Sequence, residues 1–290
     1  DLAGIERDLG HLEEARTLMQ QAIRIEKAAY DDGHPTLAAS YANLAIIEKD
    51  LGHLEEARSL MQQAADIERR TSGEENGRAL ASLRELAGLA RLCGRFEEAE
   101  RHWTRYVSAR KRADGTAYDG RILDDFERSK LDLSRKAYDA ALQRIEPVLG
   151  AWTDEHGLDH MWTAAARSVQ ARALHGLDRH EDAEVILTAI RPTIEAEYGT
   201  GHKHAGFIRW EISRVLLAQG RLIMACEHAE AAREIQAQAL PAEHYDLADT
   251  YHLLGQIAEA QGRNDDATSW MEQAYAIRSA HTPKHPATAE

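Results

Sequence analysis

Apolar residues recur at helical spacing along nearly the whole chain, in amphipathic segments that are separated by short polar links. Residues 8–26 read DLGHLEEARTLMQQAIRIE and residues 50–68 read DLGHLEEARSLMQQAADIE, so 16 of 19 positions are identical at an offset of 42. A fixed period of this size is typical of repeat proteins, in which each repeat is one supersecondary unit. The pattern therefore predicts an array of similar units rather than compact globular domains.

Two columns of residues carry the period of 42 through the chain without an insertion. The first column lies between two apolar segments in every repeat, and the second is alanine in all seven repeats. A residue as small as alanine at one fixed position predicts a close approach of two helix backbones. The first column comprises Gly10, Gly52, Gly94, Lys136, Asp178, Gly220 and Gly262, and the second comprises Ala15, Ala57, Ala99, Ala141, Ala183, Ala225 and Ala267.

Each repeat has the pattern of two helices, and the second repeat shows this most clearly. Pro35 follows His34 at a position where a first helical turn tolerates proline, and Gly52 ends that helix. A second helix is expected from Leu54 to about Arg70, with two acidic residues in its first turn, where the helix dipole stabilises carboxylates. Because two such helices cannot bury an apolar face alone, we expect consecutive repeats to stack on one another.

The period divides the chain into seven helix-turn-helix units within a single all-α array over residues 1–290. Neither end shows an obvious capping helix with a polar outer face, so we expect the natural protein to be longer. The expected units are approximately 1–32, 33–74, 75–116, 117–158, 159–200, 201–242 and 243–284, and residues 285–290 begin a further unit or form a tail.

Composition and charge favour some fold and function classes and disfavour others. The chain has 50 alanines but five valines and three phenylalanines, which favours helices over strands. Its formal net charge of −14 disfavours nucleic acids and anionic membranes as partners. No segment approaches the roughly 20 apolar residues of a membrane-spanning helix. Cys93 and Cys226 are too few for a disulfide framework and indicate a reducing compartment, so we expect a cytoplasmic protein.

The second repeat resembles the tetratricopeptide repeat in the spacing of its small and apolar residues. The 42-residue period and the Gly-His-Pro link are similar to the kinesin-light-chain variety, which is common in bacteria beside signalling domains. The resemblance implies a right-handed α-solenoid, or superhelix, of about seven helix-turn-helix repeats that binds a protein or peptide partner in its concave groove. It is weakest in the fourth repeat, where Arg128-Ser129 replaces the apolar-small pair. The matching positions are Leu44-Ala45, Gly52, Leu54, Ala57 and Met61.

The resemblance also implies which positions of each first helix line the groove, and basic residues occupy many of them. They are Arg7, Lys49 and Arg91 in the first three repeats, and Lys130, Arg172 and Arg214 in the next three. Arginine binds carboxylates through two parallel hydrogen bonds, so such a groove would bind an acidic segment. A solvated helix face is the competing interpretation. Many family members hold peptide backbone through an asparagine, present here as Asn43, but its equivalents are Glu85, Glu127, Val169, Glu211 and Leu253.

Several aromatic and apolar residues are candidates for a contact surface or for the core. Phe207 and Trp210 lie three residues apart on a first helix, on the face that the resemblance assigns to the groove, and core packing is the competing interpretation. Trp103 replaces a large apolar residue of the second helix and is predicted to be core. Ile223 and Met224 stand where other repeats carry an acidic pair exposed to solvent, which suggests a contact with a partner or with a second copy of the chain. The competing interpretation is that this repeat is rotated or covered by the neighbouring link.

The sequence shows no pattern for a catalytic, metal or cofactor site. His34, His160, His202 and His244 are spaced by multiples of 42, so they lie on separate repeats roughly 20 Å apart, far beyond the reach of one ion. We expect them to cap the helices that follow. The segment GTGHKHAG at 199–206 lacks the flanking strand and the GKS or GKT ending of a phosphate-binding loop.

We therefore expect a non-catalytic protein-interaction scaffold or sensor module without a cofactor or metal, which binds a protein or peptide, acidic in character, and which can also self-associate. The alternative is a regulatory region of a larger bacterial signalling enzyme, a protein kinase or a signalling NTPase, whose catalytic domain lies outside this chain. The sequence of the full-length gene would separate the two.

Overall fold

A computed structural model of the chain describes residues 2–8, 11–115 and 120–281. These residues form fourteen helices and, within the described ranges, no strand, which confirms the predicted all-α class. The helices are α1 (Leu2–Asp8), α2 (Leu12–Ala29), α3 (Pro35–Asp50), α4 (Leu54–Ser72), α5 (Gly77–Leu92), α6 (Phe96–Asp114), α7 (Arg121–Ser134), α8 (Tyr138–His156), α9 (Met161–Gly176), α10 (His180–Tyr198), α11 (Lys203–Ala218), α12 (Leu222–Ala239), α13 (Tyr245–Ala260) and α14 (Asn264–His281).

The helix starts follow the 42-residue period. Second helices begin at equivalent positions from Leu12 in α2 to Asn264 in α14, and first helices do so at Pro35, Gly77, Met161, Lys203 and Tyr245. The first helix of the fourth repeat departs from the register, because α7 begins at Arg121, two residues late. Acidic residues occupy the first turn of α2, α4, α6, α10 and α14, as the sequence predicts.

The histidines spaced by multiples of 42 cap the helices that follow them, which confirms their predicted role. In each case the Nδ1 atom accepts a hydrogen bond from the backbone N–H two residues later, and Asn76 does the same through its side-chain oxygen. His34 also stacks on Tyr30 with 4.0 Å between the ring centroids, and His202 stacks on Tyr198 at 4.8 Å. The links between repeats are thereby fixed by local contacts.

In the second to seventh repeats, the turn inside the repeat holds a left-handed residue, which explains the glycine column there; Gly10 lies outside the described residues. Gly52 has φ 91° and is followed by His53, whose backbone N–H donates to the carbonyl oxygen of Glu48 at 2.8 Å, as in a Schellman motif. Lys136 and Asp178 adopt φ 59° and 60° at the equivalent positions, so two repeats form this turn without glycine.

The alanine column is buried as predicted: relative exposure is 0% at Ala15, Ala57, Ala141, Ala183 and Ala225, and at most 8% at Ala99 and Ala267. Trp103 is 3% exposed, which confirms its predicted core position. In the fourth repeat, Ser129 fills the small position of the missing pair at 0% exposure, and its hydroxyl donates to the carbonyl oxygen of Phe126 at 2.6 Å.

Contacts divide the helices into two compact units, Asp1–Asp119 with α1–α6 and Gly120–Glu290 with α7–α14. The core of the first unit is built around residues such as Leu37, Met61 and Leu86. The largest core of the second unit is built around residues such as Leu187, Ile212 and Leu254. The single array over residues 1–290 stays a prediction.

Candidate functional site

Lys49, in the first compact unit, pairs with an acidic side chain of the next first helix. Its Nζ atom lies 3.3 Å from Oε2 of Glu85, which joins α3 to α5, the next first helix. Glu85 is the residue that replaces asparagine at the position equivalent to Asn43. Arg7, Asn43 and Arg91 are partly buried on α1, α3 and α5.

In the second compact unit, Lys130 lies on α7 against two residues of its own helix. Its ammonium is 2.7 Å from Oε2 of Glu127 and 4.8 Å from the ring centroid of Phe126. Glu127 also replaces the family's asparagine, so an acidic residue again faces the predicted basic one.

Arg172 on α9 and Arg214 on α11 share a single buried carboxylate. Nε of Arg172 is 2.9 Å from Oε1 of Glu211, and Nη1 of Arg214 donates to Oε2 of the same carboxylate at 3.1 Å. The Glu211 side chain is 1% exposed, whereas those of Arg172 and Arg214 are 33% and 34% exposed. One buried anion therefore pairs with two guanidinium groups that reach the surface, through a hydrogen bond from Arg214 and an ion pair with Arg172.

Phe207 and Trp210 complete this site from the same helix as Glu211. Their rings are stacked with 5.8 Å between centroids, and both side chains are partly buried. The guanidinium of Arg214 lies 4.8 Å from the Trp210 ring centroid, and that of Arg172 lies 5.8 Å from the Phe207 ring centroid, both within cation–π range. The indole N–H of Trp210 donates to the carbonyl oxygen of Asp249 on α13 at 3.3 Å. Arg172, Phe207, Trp210, Glu211 and Arg214 are called the arginine–aromatic cluster below.

A histidine pair borders this cluster. Nδ1 of His175 on α9 lies 3.1 Å from Nδ1 of His180, so one imidazole donates to the other. Burial and the positive charge of Arg214 lower the pKa of His175 to about 4. His175 is therefore neutral near pH 7 and adds no positive charge to the site.

The structure brings together four of the residues singled out in the sequence, Arg172, Arg214, Phe207 and Trp210. It adds Glu211, which the sequence marked only as a departure from the family's asparagine. Its spacing of three residues from Arg214 was the available signal, because residues three apart are neighbours on a helix.

One group of three metal-ligating side chains occurs within the described residues: ligand atoms of Glu6, His11 and Glu14 lie within 4.8 Å of one another. Nδ1 of His11 is 2.7 Å from Oε2 of Glu6, and the same contact recurs at 2.7 Å between His53 and Glu48. The recurrence identifies this pair as a contact of the repeat, which needs no ion.

The Ile223 and Met224 side chains lie at the start of α12, where they are 74% and 41% exposed. Their predicted exposure is thus confirmed, and their role as a contact surface stays a prediction. Among the helices of the described ranges, every one is too short or too polar to span a bilayer.

Several solved structures share this fold. The TPR-like repeats of a Podosopora anserina kinesin light chain are 23% identical over 68% of this chain and 93% of that one, with a TM-score of 0.53. BtubC (BKLC) from P. vanneervenii is 18% identical over 80% of this chain and 94% of that one, with a TM-score of 0.56. The apo form of RapI is 10% identical over 96% of this chain and 95% of that one, with a TM-score of 0.64.

Sequence comparisons agree with these structures. No curated protein sequence matches the chain significantly. A family profile described as Tetratricopeptide repeat matches residues 1–70 and 208–280, and a second profile of the same description matches residues 164–187. Together the two profiles match more than half of the chain, with repeats at both of its ends. The chain therefore belongs to the tetratricopeptide repeat family, whose fold generally serves as a non-catalytic scaffold for protein–protein interaction.

Proposed function

We propose that this chain is a cytoplasmic, non-catalytic interaction module that binds an acidic segment of a partner protein at the arginine–aromatic cluster. The carrying observation is the shared pairing of Arg172 and Arg214 with the buried carboxylate of Glu211. Lys130 occupies the position equivalent to Arg172 one repeat earlier, on α7, and would extend this surface.

Pairing with Glu211 uses only some of the N–H groups of the two arginines, so the others remain available to a ligand. Each guanidinium has five N–H groups, and one carboxylate oxygen accepts only part of them. Because the ion pairs with buried Glu211 restrain both arginine side chains, less side-chain entropy is lost when a partner carboxylate binds. Two positive charges against one negative charge leave the cluster with a net charge of +1, although the chain carries −14.

Phe207 and Trp210 supply apolar area beside these charges. Aromatic and arginine side chains are enriched among the residues that dominate binding energy at protein interfaces. Their equivalence to groove positions in the family supports a partner that runs along consecutive first helices. An extended acidic segment with one apolar side chain fits this arrangement.

The test compares recovery of partners by two triple variants. Simple charge reversal at Arg172 or Arg214 would leave Glu211 buried beside new carboxylates, and a buried unpaired charge destabilises a fold. The variant Arg172→Gln/Glu211→Gln/Arg214→Gln removes all three charges together. The control Arg179→Gln/Asp182→Asn/Arg263→Gln makes the same change in net charge at side chains that are 56%, 53% and 45% exposed.

The immobilised wild type, the cluster variant and the control are incubated with an extract of the source cells, and the bound proteins are quantified by mass spectrometry. We expect the wild type and the control to recover the same proteins and the cluster variant to lose them. Recovery should also fall with added salt, because exposed charges are screened within about 8 Å at physiological ionic strength. Equal recovery by the cluster variant would refute the proposal.

A further inference from the structure

An open cleft lies along α14 and the end of α13, and none of its residues belongs to the arginine–aromatic cluster. The cleft has a volume of about 460 Å³, and its lining includes Glu259 of α13 and Ala267, Met271, Glu272 and Tyr275 of α14. Tyr275 is 66% exposed, and Met271 is half-buried. This surface is called the α13–α14 cleft.

The equivalent face of other second helices is covered by a helix. Within the two compact units, α2 packs against α3, α4 against α5, α8 against α9, α10 against α11 and α12 against α13. Met19 and Met61, the equivalents of Met271, are 4% and 2% exposed there. Ile23, an equivalent of Tyr275, is 7% exposed. The α13–α14 cleft therefore has the shape that accepts one further helix.

The charge of the seventh repeat indicates what kind of helix would bind. Residues 245–281 contain six acidic and two basic residues. Both basic residues already pair with aspartates, at 2.8 Å and 2.9 Å between nitrogen and oxygen. Glu259 and Glu272 are exposed and take part in none of the ion pairs of the described residues. An occupant with basic residues complements this surface.

We propose that the α13–α14 cleft binds an amphipathic helix of a partner protein, with an apolar face and basic flanks. Apolar side chains three and four residues apart would pack on Ala267, Met271 and Tyr275, the contact by which amphipathic helices enter apolar grooves. Basic side chains beside them would pair with Glu259 and Glu272. A second copy of the chain, with a net charge of −14, fits an acidic cleft less well.

Two helices of this chain provide probes of equal length and opposite charge. The α11 sequence, Lys203–Ala218, has three basic residues and one acidic residue, a net charge of +2. The α13 sequence, Tyr245–Ala260, has three acidic residues and no basic one, a net charge of −3. Both pack on a preceding second helix in this fold. Because peptides this short are marginally helical in water, each is synthesised with a hydrocarbon staple and a fluorescent label.

Fluorescence anisotropy measures the binding of each peptide to the full chain and to three variants. Glu259→Lys/Glu272→Lys reverses both charges of the cleft at exposed positions. The control Glu155→Lys/Glu234→Lys makes the same change in net charge outside the cleft, at side chains that are 69% and 67% exposed. Tyr275→Ser removes the exposed ring without a change in charge.

We expect the wild type and the control to bind the α11 peptide saturably and the α13 peptide about tenfold more weakly. The charge-reversed variant should prefer the α13 peptide, and Tyr275→Ser should weaken binding of the α11 peptide by about fivefold. Absence of saturable binding to the wild type, which coverage of the cleft by a second copy or by residues 282–290 would cause, would overturn the proposal. An unchanged preference in the charge-reversed variant would overturn it as well. Neither result bears on the arginine–aromatic cluster.

Discussion

Arg172 on α9 and Glu211 on α11 form an ion pair between consecutive first helices, with 2.9 Å between Nε and Oε1. Glu211 is the buried member and Arg172 the one that reaches solvent. The contact therefore links the packing of two repeats to the geometry of the surface that we assign to partner binding.

Replacing Glu211 alone should destabilise the protein. Glu211→Gln leaves two guanidinium groups without their buried counter-ion, and we expect the free energy of unfolding to fall by about 1 to 3 kcal/mol. Chemical denaturation of the full chain measures this loss. Since Arg172 and Glu211 interact, the double variant with Arg172→Gln should lose less than the sum of the two single variants. Additive losses would show that the pair carries no stabilising interaction.

Enlarging the alanine column should destabilise the fold in both compact units. Ala57 and Ala183 are 0% exposed, so replacement of either by leucine overfills a close contact between helices and should cost about 1 to 3 kcal/mol. Ala28→Leu, at an exposed position of α2, is the matched control and should leave thermal stability nearly unchanged. Neutral effects at both buried alanines would mean that the repeat register is wrong.

The sequence predicted more of the fold than of the candidate site. The period of 42 and the glycine and alanine columns predicted helix pairs, because each marks a local requirement, a left-handed turn or a close helix contact. The site depends on the contact between α9 and α11, which brings Glu211 to Arg172 across 39 positions of sequence. The pattern placed Arg172 and Arg214 on one face but left the buried partner unrecognised, because burial of a charged side chain is set by tertiary packing.

His175 should make stability fall in mild acid. Burial and Arg214 lower its pKa to about 4 from an ordinary value of 6.5, so between these values the unfolded chain binds the proton more strongly than the folded one. The free energy of unfolding therefore decreases as the pH falls from 6.5 to 4 and levels off below. In His175→Asn the free energy of unfolding should depend less steeply on pH than in the wild type. Urea unfolding at about pH 7, 6 and 5 measures this dependence. An identical slope in the variant and the wild type would exclude His175 as its source.

Ile223 and Met224 should act in association rather than in folding. Both side chains are exposed at the start of α12, so Ile223→Glu/Met224→Glu should leave the thermal midpoint unchanged and reduce self-association or partner recovery. Analytical ultracentrifugation measures the first effect and quantitative recovery measures the second. If solution mass and partner recovery both equal those of the wild type, the two residues form no contact surface.

The most direct test of the interaction surface is backbone hydrogen exchange of the wild type with and without a recovered partner. Our account predicts slower exchange in the partner-bound state over α9 and α11, Met161–Gly176 and Lys203–Ala218, and no change over α10 and α12, His180–Tyr198 and Leu222–Ala239. Protection confined to α10 and α12, or unchanged exchange in all four helices, would contradict the assignment of partner binding to the arginine–aromatic cluster.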